Sequence, residues 1–184
     1  MKMIAIAAAA ALGALMAVAS PASADTVGWY GSFGASKAVS DTDGGFLPID
    51  LDEGYEIGGA VGYDVGDWRG ELEVAYLENT GELGPITVTG SAVAVTVNAF
   101  YDIALADRWT LSAGGGIGVA TDAGIKIGEF EATDTKLTYK GAVQVAYDVN
   151  DSTQLYIGYT YRSIDDTDFE THAVGAGVRI YFGA

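Results

Sequence analysis

Residues Phe169 to Ala184, reading FETHAVGAGVRIYFGA, decide the fold. Val174, Ala176, Val178, Ile180 and Phe182 fall on one face, while Ala173, Gly175, Gly177, Arg179 and Tyr181 fall on the other. A side-chain period of two over some ten residues describes a strand with two different surroundings. In a soluble sandwich the apolar face would meet a second sheet. Here the other face carries an arginine and the strand runs into a terminal aromatic pair, which fits a membrane barrel with lipid outside and a polar lumen inside.

Working outward, seven more stretches alternate in the same way. Strands are predicted near 26–35, 54–65, 68–77, 90–102, 109–119, 136–149 and 153–164, with the quoted segment as the eighth. Gly66-Asp67, Leu105 to Asp107 and Asn150-Asp151-Ser152 read as short turns. Ser36 to Asp52, Glu78 to Thr89, Thr121 to Thr135 and the tighter Asp165 to Asp168 read as loops. Long and short connections therefore alternate, and the sequence predicts an all-β, eight-stranded, antiparallel up-and-down transmembrane β-barrel. Closing the sheet pairs every backbone donor and acceptor, which hydrocarbon cannot do.

The aromatic residues sort by height. Trp29, Tyr63, Trp68, Tyr101, Trp109, Tyr147 and Phe182 fall at the short-turn ends of their strands, and Tyr55, Tyr76, Tyr139 and Tyr161 at the long-loop ends. Two such girdles suit membrane interfaces, where an apolar ring sits in lipid while its N–H or O–H meets water.

The start of the chain has another character. Lys2, an Ala/Leu/Ile/Met-rich run from Met3 to Ala19 and the exit SPASA at Ser20 to Ala24 describe a secretory signal peptide over 1–24, leaving a barrel domain over 25–184. Lys2 is the only charge removed, so Lys plus Arg falls from 9 to 8 against 25 Asp plus Glu, and the formal charge moves from −16 to −17. Nucleic acid is excluded as a partner, because phosphate binding needs clustered Lys and Arg. With no cysteine, a disulfide scaffold is excluded too.

These residues resemble the small outer-membrane β-barrel family that includes the transmembrane domain of outer-membrane protein A and the opacity-type surface proteins. Gly177, Ile180 and Phe182 match the Gly-x-x-apolar-x-apolar ending that the family's assembly machinery is thought to read. Two features depart from that pattern: Gly175 stands where a polar residue is usual, and Gly183-Ala184 follow the final aromatic. The resemblance implies an integral outer-membrane protein of a Gram-negative bacterium, with lipid, lipopolysaccharide and the assembly machinery as partners. It also implies a structural and surface-display role, with a narrow porin-like channel as the alternative.

The inward faces carry the candidate site. Glu56, Asp64, Arg69, Glu71, Glu73, Lys140, Gln144, Arg162 and Arg179 all point into the predicted lumen, which suggests a plug of opposite charges. Eight strands enclose only enough room for side chains, which argues against a general diffusion pore. A soluble lipocalin-like carrier would need the reverse arrangement, an apolar cavity and a polar exterior.

His172 is the single histidine. The lipid A deacylase family resembles this layout but uses a His-x-Ser pair, and here the run is His172-Ala173-Val174, so no catalytic set is assigned. Asp41, Asp43, Asp50, Asp52 and Glu53 crowd the first long loop, and Asp165, Asp166, Asp168 and Glu170 the last. They lack the ligand order of a calcium loop and read as a solvated acidic surface, with divalent bridging to lipopolysaccharide phosphates as a lesser alternative. No metal or cofactor is expected. The alternating glycines of Ala113 to Gly118 read as strand residues rather than a nucleotide loop. What the loops touch is not written in one sequence.

Overall fold

The computed structural model describes residues 27–41, 50–83, 86–122, 135–165 and 169–182. The signal segment 1–24 lies outside them. The strands are β1 (Gly28–Asp41), β2 (Asp50–Asp64), β3 (Trp68–Leu83), β4 (Ile86–Ala106), β5 (Trp109–Asp122), β6 (Thr135–Asn150), β7 (Thr153–Ile164) and β8 (Phe169–Phe182). Each pairs antiparallel with its sequence neighbour, and β8 returns to β1 to close the barrel. The closing register sets Trp29 opposite Phe182, Phe33 opposite Val178 and Asp41 opposite Glu170.

Several strands run beyond the boundaries expected from alternation. β1 continues past Ala35 to Asp41, so Asp41 belongs to a strand, as do Asp50, Asp52 and Glu53 in β2. Glu78 to Thr89, expected as a loop, is largely a hairpin arm in which Asn79 pairs with Gly90, Thr80 with Thr89 and Leu83 with Ile86. Strand pairing needs backbone hydrogen bonds and not apolar alternation. Past the lipid both faces are free to be polar, and the hydropathy signal fades before the ladder does.

At the other end the turns are tight. Gly66 has φ of 103°, a left-handed conformation suited to glycine, and its N–H donates to Asp64 Oδ1 at 2.8 Å. β4 reaches Ala106, leaving only Asp107-Arg108 as the turn, with Arg108 at φ 71°. Ser152 N donates to Asn150 Oδ1 at 3.0 Å, closing the third short turn.

Polarity is inverted relative to a soluble domain. Val97, Ile157 and Val174 are 62, 64 and 66 % exposed, whereas Arg69, Arg162 and Arg179 are at most 2 % exposed. The buried apolar residues are mostly alanines, including Ala60, Ala75, Ala94, Ala120, Ala142 and Ala173. Small side chains on the inner face leave space for the long ones opposite. Gly116 illustrates the limit, since a Cβ there would lie 1.9 Å from Asn98 Oδ1.

On the outer wall the aromatics meet in cross-strand pairs. Trp29 packs on Tyr63 at 5.2 Å between centroids, Trp68 on Tyr101 at 5.0 Å and Trp109 on Tyr147 at 4.9 Å. Near the long-loop end Tyr55 and Tyr76 lie 6.2 Å apart. Between the belts lies a band of exposed Val, Leu and Ile, the surface that a hydrocarbon core covers.

Candidate functional site

The lumen side chains that meet in two layers come from every strand but β5. Toward the long-loop end, Glu73 on β3 is the centre. It pairs with Lys140 on β6 and accepts from Arg162 Nη2 on β7 at 2.9 Å. Arg162 Nη2 also donates to Glu56 Oε1 on β2 at 2.8 Å. Thr96 and Asn98 of β4 donate to the two Glu73 oxygens, each at 3.4 Å. Charges taken out of water are costly, and this mutual pairing offsets the penalty.

Toward the short-turn end, Arg69 on β3 is held from several directions. Nη1 donates to Glu71 Oε1 at 2.5 Å, Nε to Asp102 Oδ2 at 2.8 Å and Nη2 to Gln144 Oε1 at 3.0 Å. Its guanidinium carbon sits 4.1 Å from the Phe100 centroid. Tyr30 OH donates to the same Glu71 oxygen at 2.8 Å. Arg179 on β8 donates to Gln154 and, at 3.2 Å, to Gln144 Oε1, with its charge over the rings of Tyr30 and Tyr156 at 5.2 and 5.5 Å. Tyr181 OH donates to Asp64 Oδ2 at 3.0 Å.

All eight charged residues picked from the sequence therefore lie in the lumen, and the structure joins seven of them in these two layers, with Asp64 held separately by Tyr181 and Gly66. The sequence reading put Tyr30, Gln154, Tyr156 and Tyr181 at inward parity but left them out of the charge network, and it passed over Asp102. Their inward parity was the available signal, but in this chain tyrosine also serves the outer girdles. Cavities border these layers among the described residues. One of about 80 Å³ is bordered by Ser32, Glu56, Glu73, Lys140, Tyr156 and Arg179. Another, about 250 Å³, opens at the short-turn end among Asp64, Asp67, Asp102, Asp148 and Asp151.

Gly177 pairs with Gly34 across β8 and β1, and a Cβ at Gly177 would lie 2.3 Å from the Tyr156 ring. Ile180 and Phe182 face outward, with Phe182 beside Trp29 in the short-turn girdle. His172 is on the outer wall, where Tyr159 OH and its Nδ1 are 2.5 Å apart. Tyr161 OH donates to Glu170 at 2.8 Å. Among the loop acids, Asp43, Asp166 and Asp168 lie outside the described residues.

Solved structures share this architecture. Neisserial surface protein A superposes with a TM-score of 0.67 at 18% identity, covering 84% of this chain and 97% of that one. The N-terminal barrel domain of Pseudomonas aeruginosa OprF gives 0.55 at 15% identity, over 84% and 97% of the two chains. The attachment invasion locus protein Ail of Yersinia pestis gives 0.53 at 17%, over 84% and 100%. Among curated protein sequences none matches the chain. The family model described as the outer membrane protein beta-barrel domain matches residues 7–182. With its closed eight-stranded wall, apolar exterior and charged lumen, the chain belongs to the outer membrane protein beta-barrel domain family and resides in the outer membrane.

Proposed function

We propose that the protein is a non-enzymatic structural and surface-display barrel, with its short turns in the periplasm and its acidic long loops outside. The observation that carries this reading is the layer of Arg69, Glu71, Tyr30, Gln144 and Arg179 spanning the lumen. The cavities on its two sides share no lining residue. Planar bilayer recordings on the purified protein test it. Silent membranes are expected, and reproducible discrete openings would favour the second reading, a narrow low-conductance channel. The polar lining of both cavities is what supports that second reading.

The absence of enzymatic chemistry rests on residue placement. His172 faces lipid beside Tyr159, and the position two residues on is Val174, with no nucleophile to activate. Lipid and lipopolysaccharide are the partners that the exposed apolar band and its aromatic rims fit. Gly177, Ile180 and Phe182 serve as the ending recognised by the assembly machinery, with Ile180 and Phe182 on the outer face of the strand that closes the barrel.

A further inference from the structure

Arg179 differs from the other three basic residues of the two layers. Arg69 has Glu71 and Asp102, Arg162 has Glu56 and Glu73, and Lys140 has Glu73. Among the described residues no carboxylate comes within the 4.0 Å of an ion pair with Arg179, although it is only 1 % exposed. Its acceptors are the neutral amide oxygens of Gln154 and Gln144, and Gln144 Oε1 already serves Arg69. Its Nε has no acceptor at all. Tyrosine faces supply partial negative charge, but not a counterion.

Arg179 borders the 80 Å³ cavity. A single water needs only about 10–15 Å³ of such space, so there is room for a small ion together with several waters. The carboxylates that share this wall, Glu56, Glu71 and Glu73, are each engaged by a cation, Glu56 through one oxygen only, and Asp102 lines the other cavity. The hydroxyls of Ser32, Ser36 and Tyr156 also border the space. Glycine keeps it open, since a Cβ at Gly34 would come within 2.8 Å of Tyr156 Oη and one at Gly175 within 2.4 Å of Ser36 Cβ.

We infer that this cavity binds a small monovalent inorganic anion of the halide class, with the Arg179 guanidinium as its charge partner and the wall hydroxyls as further donors. The site goes beyond the display role and does not depend on whether the lumen conducts.

The test uses the barrel purified in detergent. A ligand that binds only the folded state raises its stability in proportion to the logarithm of concentration above Kd. The melting midpoint is expected to rise by several degrees in sodium bromide or chloride relative to sodium gluconate at equal ionic strength, gluconate being too bulky for the cavity. Crystals soaked in bromide should show an anomalous peak beside Arg179. Arg179→Met should abolish both signals. Gln144→Glu places a carboxylate between Arg69 and Arg179 and should abolish them while the barrel keeps its heat-dependent gel migration. Equal midpoints in halide and gluconate, with only water in the cavity after the soak, would overturn the inference. So would halide dependence that survives in Gln144→Glu.

Discussion

Near the long-loop end, Glu73 gathers Lys140 and Arg162, and Arg162 reaches on to Glu56, so carboxylates and cations alternate. Near the short-turn end, Arg69 serves Glu71, Asp102 and Gln144 while lying over Phe100, and Arg179 is held by amides and tyrosines. The first arrangement is redundant at its centre, because Glu73 has two cations and Arg162 two carboxylates. The second concentrates several roles in one side chain. Two clusters of similar formal charge should therefore tolerate damage very differently.

Arg69→Met is the largest expected loss. It strands Glu71 and Asp102 in a buried layer, and removing one partner of a buried pair costs about 3–5 kcal/mol. Urea titration of the folded band in lipid vesicles should show a midpoint well below wild type. Glu73→Gln should cost less, about 2–3 kcal/mol: Lys140 loses its carboxylate, but Arg162 keeps Glu56 and the amide still accepts hydrogen bonds. If the two substitutions are equally damaging, the distinction between a redundant and a concentrated layer is wrong.

The contrast also explains what the sequence disclosed. The Glu73 cluster is opposite charge at inward parity, and counting every second residue from Arg69, and on β6 from Lys140, is enough to find that face. The Arg69 layer depends on which tyrosines turn inward and on Asp102, which lies near the short-turn end of β4. A single strand does not say which neighbour across a closed lumen a side chain will meet. Tyr30 and Glu71 are 41 positions apart and Tyr181 and Asp64 are 117 apart, and both contacts come from barrel geometry. Strand ends were misplaced for a related reason: the alternation that marks Gly90 to Asp102 is imposed by lipid, and the pairing of Glu78 to Leu83 with Ile86 to Ser91 is not.

Gly177→Ala comes next, because it separates packing from assembly at one residue. The added Cβ would overlap Tyr156, and overpacking costs about 1–3 kcal/mol. Tyr156 lies over Arg179, so the damage should pass to the short-turn layer. In a double-mutant cycle with Tyr156→Ala, folding from urea into vesicles without assembly factors reads the packing component alone. Coupling of the two substitutions there would place the role of Gly177 in the lumen. Additive effects in vesicles, with poor insertion in cells, would place it in the assembly signal.

Lys140→Met should have the smallest effect, and its size tests the redundancy of the long-loop layer most directly. Glu73 would keep Arg162 at 2.9 Å and the Thr96 and Asn98 donors. The carboxylate would therefore remain paired, and the expected loss is about 1 kcal/mol, close to that of a single hydrogen bond rather than a stranded charge. The same vesicle titration measures it on the same scale as Arg69→Met. The methionine also borders the 80 Å³ cavity without reaching the Arg69 layer, so bilayer recordings should stay as silent as wild type. Discrete openings in Lys140→Met alone would mean that the long-loop layer seals the lumen. The short-turn layer, for all its bonds, would then be permeable, and the channel reading would take precedence over display.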